Sequence, residues 1–274
     1  MLTRKTAIAL LIMMNLQFVC ASCAAAPDGG SSGEPQEPAA EETAGDEITD
    51  PLALAPGTEV DPGDDADQYF LSVPIPDSVF EMMNGRSYTE GGEISREELR
   101  YLRVLYVDYE GVTRTGELVV NQDAAEDTLA VFRDLYDAAY PVCKMVLVDN
   151  YYDVDFPGYE HLDRGNRADC VSIEDNNTSA FNYRQISTMT GDLSNHAFGR
   201  AIDFNPYENP YVNADGTLDG PEGSAEYLDR SKATVDNHML HEGDPAVSAF
   251  KAHGFTWGGD WSGDKDYQHF DHVR

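Results

Sequence analysis

The sequence has little positive charge. It contains 18 lysines and arginines against 50 aspartates and glutamates, a formal net charge of −32, and none of the basic residues lies between Lys5 and Arg86. A protein that binds nucleic acid needs a basic surface that neutralises phosphates. A protein that is held on an anionic bilayer by charge needs a similar cluster of cations. The composition therefore predicts no nucleic-acid partner and no membrane binding through a basic patch.

Cysteine is also scarce. Cys20 and Cys23 lie close to the N-terminus, which leaves Cys143 and Cys170 as the only thiols in the rest of the chain. A structural zinc site is usually closed by several cysteine thiolates, so this class of site is not expected. In an exported protein the two remaining cysteines can form one disulfide. They can equally be two buried thiols that pack as small apolar side chains.

Long apolar runs are missing as well. The longest stretch near the N-terminus, residues 7–19, has about 13 residues, whereas a membrane-spanning helix needs about 20. Arg4 and Lys5 precede this stretch. A short apolar run behind a positive segment is typical of a signal peptide, which we assign to residues 1–23.

The end of that segment favours a lipoprotein signal. The small residues before Cys23 resemble a bacterial lipoprotein cleavage box, which predicts lipidation of Cys23, although Cys20 stands where the box usually has leucine. Ordinary cleavage near residues 24–26 would instead release a secreted protein. Either alternative places the mature protein outside the cytoplasm, and the first anchors it to the bacterial membrane by its lipid alone.

Residues 24–67 are rich in alanine, proline, glycine, serine and acidic residues, with almost no aromatic side chains. Such a composition buries too little apolar surface to fold, so we expect a disordered acidic tether. The folded domain is then residues 68–274, roughly 205 residues, which is enough for a single hydrophobic core.

The pattern within this domain predicts an α+β fold. Residues 98–109 and 112–121 are β-prone and flank a Glu-Gly turn, which indicates a hairpin. A stripe of apolar residues predicts a helix that begins at Asp123 and runs through residue 140. A buried strand is expected at residues 144–148, followed by a long acidic loop over residues 149–182.

Further short elements follow toward the C-terminus. Strands are expected at residues 199–205, 255–257 and 267–270, and a helix at residues 245–253. We therefore expect a small antiparallel sheet with flanking helices and long loops around the residues that carry the chemistry.

The chemistry-bearing residues lie in two segments. His196 and Asp203 occur in the first, and Asp266 and His269 in the second. Two imidazoles and one carboxylate around an open fourth position form the usual catalytic zinc site. A further carboxylate beside such a site can move the proton of an attacking water, which is the role that suits Asp266.

The motifs around these residues occur in a fixed order. They are Ser194-Asn195-His196, then Gly199 and Ala201, then Asp203-Phe204-Asn205-Pro206, then Trp257-Gly258-Gly259-Asp260-Trp261, and last Asp266-Tyr267-Gln268-His269-Phe270. Over roughly residues 117–270 this pattern resembles the zinc D-alanyl-D-alanine carboxypeptidase family. That family includes vancomycin-resistance dipeptidases and carboxypeptidases and phage L-alanyl-D-glutamate endolysins, and it shares its scaffold with the hedgehog signalling domain.

The resemblance implies a role for each matching residue. His196, Asp203 and His269 would bind Zn²⁺, and Asp266 would be the catalytic acid and base. The family places an arginine shortly before the first ligand, where this chain has Arg184, and that guanidinium would stabilise the oxyanion; a structural ion pair with a nearby acid is the alternative. Two residues within the motifs, Ser194 and Trp257, are candidates for contact with substrate.

The resemblance also implies a substrate class, the stem peptides of peptidoglycan. Removal of a terminal D-alanine is the first expectation, and cleavage within the stem, as between L-alanine and D-glutamate, is the alternative. A carboxypeptidase needs a cationic or hydrogen-bond-donating group for the terminal carboxylate, and Arg164, Arg167 and Arg200 are candidates. A non-catalytic module that binds zinc or cell wall is the third possibility, which the retention of Asp266 disfavours.

Overall fold

A computed structural model describes residues 50–186 and 191–273 of the chain. The predicted signal peptide, the predicted lipidation site Cys23 and residues 24–49 of the predicted tether lie outside the described residues. Within the described part of the chain, no helix has the length and the apolar character that a bilayer crossing requires.

The described chain forms three small antiparallel sheets and a few helices. The order of its main elements is β1 (Leu71–Val73), α1 (Asp77–Met83), β2 (Leu99–Val107), β3 (Thr113–Asn121), α2 (Ala125–Asp137), α3 (Arg164–Glu174), β4 (Ala201–Asp203), β5 (Tyr211–Val212), β6 (Leu218–Asp219), α4 (Pro245–Ala252), β7 (Phe255–Trp257), β8 (Lys265–Asp266) and β9 (His269–His272). The sheets have the strand orders β1-β2-β3, β4-β9-β7 and β6-β5-β8. The predicted α+β class is confirmed, with three sheets in place of one.

The hairpin predicted from the sequence is β2 and β3, which pair from Leu99 opposite Asn121 to Val107 opposite Thr113. The inner face of this hairpin, helix α2 and the β4-β9-β7 sheet enclose one hydrophobic core. Phe132 of α2 and Phe250 of α4 are fully buried there, with their rings 6.2 Å apart. This core fixes β4 and β9, which carry two of the candidate metal ligands.

Helix α2 is shorter than the sequence pattern predicts. It begins at Ala125, and the carboxylate of Asp123, expected as the N-cap, pairs with Arg200 at 3.0 Å instead. At the other end Ala139 adopts a positive φ of 49°, which a continuing right-handed helix does not allow. The helix therefore ends at Asp137 rather than at residue 140.

Residues 50–67, which we assigned to the tether, are part of the folded unit. Val60 is buried against Tyr69 and Leu105. The backbone N–H of Gly57 donates to the carbonyl of Thr115 at 2.6 Å. The predicted tether boundary at residue 67 is therefore wrong, because a few apolar side chains in the acidic stretch pack on the outer side of the hairpin.

The region from residue 144 to residue 182 also differs from expectation. Residues 144–148 form no strand, since the polar side chains of Asn177 and Glu117 bind the backbone N–H groups of Val146 and Leu147. The acidic loop expected after it contains the helix α3. Asp163 caps that helix by accepting a hydrogen bond from the backbone N–H of Asn166 at 2.9 Å.

A buried carboxyl group in this region makes stability depend on pH. Asp149 is 3% exposed and accepts hydrogen bonds from the backbone and the hydroxyl of Ser87. Burial raises the pKa of Asp149 to about 6. Because the folded state then binds the proton more tightly than the unfolded chain, the stability that this group contributes is present below pH ~4 and is lost as the pH rises through 6.

We therefore expect Asp149→Asn to gain stability over the parent protein as the pH rises. The difference in free energy of unfolding should grow by about 3 kcal/mol between pH 3 and pH 7, which corresponds to a shift of roughly two pKa units. Urea denaturation at a series of pH values measures it. The exposed Asp155→Asn is the control, and a difference that does not change with pH would contradict the prediction.

Candidate metal centre

Pairing of two short strands brings the two sequence segments together. In the register of β4 and β9, Asp203 lies directly opposite His269. His196 lies in a single 3₁₀ turn, Asn195–Phe198, just before β4, and the side chain of Ser194 caps this turn by accepting from the backbone N–H of His196. The turn closes at Gly199, whose φ of 65° returns the chain into β4.

The three predicted ligands converge on one point. The Nε2 atom of His196 lies 3.2 Å from Asp203 Oδ2, and the Nδ1 atom of His269 lies 3.2 Å from Asp203 Oδ1. The two ring nitrogens are 3.3 Å apart. Ligands at 2.0–2.1 Å from one tetrahedral ion are separated by about 3.3 Å. The two nitrogens have this spacing, each lies 3.2 Å from one oxygen of the Asp203 carboxylate, and one ligand atom from each of the three residues lies within 4.8 Å of the others. All three side chains are buried.

Neighbouring groups decide which ring nitrogen faces this point. His196 Nδ1 is 2.6 Å from the carbonyl of Ala180, which leaves Nε2 as the ligand atom. His269 Nε2 is 2.9 Å from the carboxylate of Asp271, which leaves Nδ1. Asn195 in turn donates to Asp271 at 2.8 Å. Such outer partners fix the orientation and the tautomer of a metal-binding histidine.

The sequence did not reveal Asp271 and Asn195 as part of the site. The available signal was spacing, because in a strand Asp271 lies on the same face as His269 two residues earlier. His272, which follows Asp271, is not near the ligands; its Nε2 pairs with Asp127 at 2.8 Å.

We expect Asp271→Asn to weaken zinc binding by about 10–100-fold, because the histidine loses the carboxylate that orients its ring and raises its basicity. Competition with a chromophoric chelator measures the dissociation constant. Asp127→Asn is the matched control, since it removes the same kind of partner from His272. Equal zinc affinity in the Asp271 and Asp127 variants would contradict the prediction.

The electrostatics of the cluster favour an ionised Asp203. Burial alone would raise the pKa of its carboxyl, but the adjacent imidazoles of His196 and His269 hold that pKa well below its ordinary value. An anionic oxygen and two nitrogen ligands form a donor set that suits Zn²⁺ better than Mg²⁺ or Ca²⁺, which prefer all-oxygen sites.

Asp266 lies beside the three ligands without being one of them. Its Oδ2 atom is 3.9 Å from His269 Nδ1, and its Oδ1 atom is buried without a hydrogen-bond partner among the described residues. Burial raises the pKa of Asp266 to about 7. A carboxyl group with a pKa near neutrality can both accept and return a proton.

The strand that carries Asp266 belongs to a different sheet from the ligands. Asp266 in β8 pairs with Tyr211 in β5, whereas His269 begins β9 of the β4-β9-β7 sheet. The change of sheet occurs at residues 267 and 268. A bend at these two residues therefore brings Asp266 and His269 to the same point.

Arg184 also reaches this site. Its guanidinium is largely buried and pairs with Asp169 of α3, with Nη2 at 2.8 Å from Oδ2. Burial raises the pKa of Asp266, and the positive charge of Arg184 offsets part of this rise. The negative charge of Asp203 in turn helps to raise the pKa of Arg184. The ion pair with a nearby acid, the alternative given for Arg184, is therefore present, and the oxyanion role stays a prediction.

The two tryptophans of the motif lie in different environments. Trp257 is only 3% exposed, packs in the main core and donates its indole N–H to the carbonyl of Tyr267 at 2.8 Å. The expectation that Trp257 contacts substrate is therefore wrong. Trp261 is the tryptophan at the site: it is 37% exposed and its ring centroid is 5.6 Å from that of His269.

The three arginines proposed for a substrate carboxylate are divided between two regions. Arg200 is held by Asp123 and Asn121, next to the hairpin. Arg164 and Arg167 line a cavity of about 330 Å³ that adjoins α3, together with Tyr152 and Phe156.

The structure also leaves Cys143 and Cys170 as separate thiols, so the disulfide alternative is not formed.

The candidate centre can now be compared with known proteins. A family model described as D-alanyl-D-alanine carboxypeptidase matches residues 188–272. No solved structure matches the chain. The matched segment contains His196, Asp203, Asp266 and His269, whereas Arg184 lies just before it. The resemblance of the motifs is therefore confirmed, and residues 188–272, which carry the candidate metal centre, are similar to the D-alanyl-D-alanine carboxypeptidase family.

Proposed function

We propose that the protein is a zinc-dependent peptidase that hydrolyses amide bonds in peptidoglycan stem peptides. The observation that carries this proposal is the convergence of His196, Asp203 and His269 on one point, with Oδ2 of Asp266 3.9 Å from His269 Nδ1 and its Oδ1 atom without a hydrogen-bond partner among the described residues. A metal-binding or wall-binding module would need the three ligands but would have no use for a buried carboxyl group with a free oxygen.

His196 Nε2, His269 Nδ1 and a carboxylate oxygen of Asp203 would hold the zinc ion. Bound there, Zn²⁺ supplies Lewis acidity, which polarises a carbonyl group and lowers the pKa of water. The outer contacts of Ala180 and Asp271 keep the two rings in the required tautomers.

The remaining work belongs to two side chains. Asp266 accepts the proton of the water that attacks the scissile carbonyl, and it then donates this proton to the departing nitrogen. Arg184 donates hydrogen bonds toward the oxygen that becomes negative in the tetrahedral state. Trp261, exposed beside His269, forms an apolar wall against which the substrate can lie.

We propose removal of a terminal D-alanine as the reaction, on the ground of the family match. Cleavage within the stem uses the same residues and is the alternative. Digestion of purified muropeptides with and without added Zn²⁺, followed by mass spectrometry, tests both. Release of one alanine from pentapeptide stems supports the carboxypeptidase, internal fragments support the endopeptidase, and zinc binding without any cleavage would favour the binding module.

We further propose that the protein works outside the cytoplasm, held by a lipid on Cys23 or secreted. The support is the charged and apolar pattern of residues 1–23 and the acidic, Pro- and Gly-rich stretch that follows. Cell fractionation tests it: membrane association that is lost in Cys23→Ala supports the anchor, and a cytoplasmic protein would contradict the proposal.

A further inference from the structure

Helix α3 has a direct connection to the candidate centre that the family match does not cover. Asp169 lies in the middle of this helix, is 9% exposed, and binds the guanidinium of Arg184 at 2.8 Å. We infer that Asp169 is a positioning residue, which holds Arg184 in the orientation that the reaction needs. This inference rests on the proposed function, and it adds a residue from outside the matched segment.

The first support is the state of the Arg184 side chain. Its side chain is 12% exposed, and its Nε atom is buried without a hydrogen-bond partner among the described residues. Asp169 binds the guanidinium at Nη2, which leaves the Nε–H group for a different acceptor. A planar guanidinium that is gripped at one nitrogen presents its remaining donors in a fixed direction.

The second support is how closely α3 approaches the chain at Arg184. A Cβ atom on Gly165 would lie 3.2 Å from Arg184 Cβ and 3.3 Å from the hydroxyl of Tyr152, so a larger residue would push the helix away. Gly165 and Asp169 are four residues apart and thus share a helix face. Gly165 lets the helix lie close to Arg184, and at this short distance Asp169 forms the ion pair.

A third support is the network that ties α3 to the ligand turn. The side chain of Asn182 donates to the carbonyl of Gly165 at 3.1 Å and accepts from the hydroxyl of Tyr152 at 2.8 Å. The backbone N–H of Asn182 donates to the carbonyl of His196 at 3.1 Å. Asp169, Arg184 and the first metal ligand are therefore held in one rigid arrangement.

The test is a double-mutant cycle of Asp169→Asn and Arg184→Gln on the zinc-loaded protein. We expect Arg184→Gln to lower kcat by about 10²–10³-fold, as for loss of an oxyanion donor. Asp169→Asn should lower kcat by roughly 10–100-fold through misplacement of that donor, with KM changed less than about threefold. Glu174→Gln is the matched control, because it removes a carboxylate from the same helix that instead binds Tyr159.

The cycle separates positioning from stability. If Asp169 acts through Arg184, the double variant is no slower than Arg184→Gln alone. The inference would be overturned if Asp169→Asn lowered kcat by the same factor in the Arg184→Gln variant as in the parent protein. It would also be overturned if Asp169→Asn changed KM alone. Should Asp169→Asn not fold, Asp169→Glu takes its place, with a kcat between those of the parent and Arg184→Gln expected and a parental kcat contradicting the inference.

A readout without substrate distinguishes this inference from the proposed function. In the nitrogen-15 NMR spectrum, the Nε–H signal of Arg184 should shift and exchange faster with solvent in Asp169→Asn, and it should stay unchanged in Glu174→Gln. An unchanged signal in Asp169→Asn would overturn the positioning role even if stem peptides are cleaved. Failure of the parent protein to cleave any stem peptide would instead remove the proposed function, while the NMR result would still decide whether Asp169 fixes Arg184.

Discussion

Asp266→Asn is expected to lower the turnover of stem peptides by about 10²–10⁴-fold, the range that a general acid–base group contributes. The amide has nearly the same shape as the carboxyl group but neither accepts nor returns a proton at neutral pH. Among the described residues Oδ1 has no hydrogen-bond partner and Oδ2 lies 3.9 Å from His269 Nδ1, so the substitution removes no hydrogen bond. The loss should therefore appear in kcat and not in folding.

Zinc binding by Asp266→Asn shows whether the loss of turnover comes from the catalytic step or from loss of the metal. The three ligands lie on β4, on β9 and in the turn before β4, and none of them depends on a hydrogen bond from Asp266. Zinc content and melting temperature should stay close to those of the parent protein. Asp264→Asn, two residues earlier, is the control, since that carboxylate binds Tyr211 and the backbone of Ala214. Near-normal turnover in Asp266→Asn would exclude the assigned role.

The second large effect is expected at Gly258, which has no side chain that could take part in the reaction. A Cβ atom on Gly258 would lie 2.4 Å from the carbonyl oxygen of Asp266 and 2.9 Å from its Cβ atom, closer than real Cβ contacts come. Both near atoms are close to or part of the backbone, so β8 must move away in Gly258→Ala. A displacement of about 1 Å in a catalytic group can cost about 10²-fold in rate.

Gly258→Ala should therefore lose about two orders of magnitude in kcat while it still binds zinc. Gly220→Ala is the matched control, because a Cβ atom there meets only Leu218 at 3.7 Å. Parallel measurement of kcat and of zinc content in both variants tests the prediction. Simultaneous loss of zinc and activity in Gly258→Ala would show that β9 moves with β8, and the account of a separately held Asp266 would then fail.

The candidate metal ligands could be predicted from the sequence because histidine and aspartate are residue types that bind metal ions. Histidine and aspartate at His196, Asp203 and His269 sit in motifs whose order and spacing are specific, and a two-strand pairing is enough to bring them together. The partners of these residues carry no such signal. Asp169 and Asp271 are two among 50 acidic residues, and only the folded chain shows which cation or imidazole each one faces.

Helix α3 was missed for a related physical reason. The segment Arg164–Glu174 buries only small apolar residues, Ala168 and Val171, so its hydrophobic stripe is too narrow to be recognised. The segment is helical because Asp163 caps it and because Tyr151 and Tyr152, earlier in the chain, pack against it. The ordered stretch at residues 50–67 was missed for the same reason. Val60 and Leu54 bury apolar surface only once the hairpin has formed, because they pack against it.

The ligand geometry has a consequence for how the chain is held together. His196 and His269 are 73 residues apart, and in the described chain no disulfide joins distant segments. An ion that binds both would act as a removable cross-link between the start of β4 and the last strand, β9. At a free concentration one hundred times its dissociation constant, a ligand of the folded state adds about 2.7 kcal/mol of stability. Metal availability would thereby set how long the protein survives among proteases as well as whether it is active.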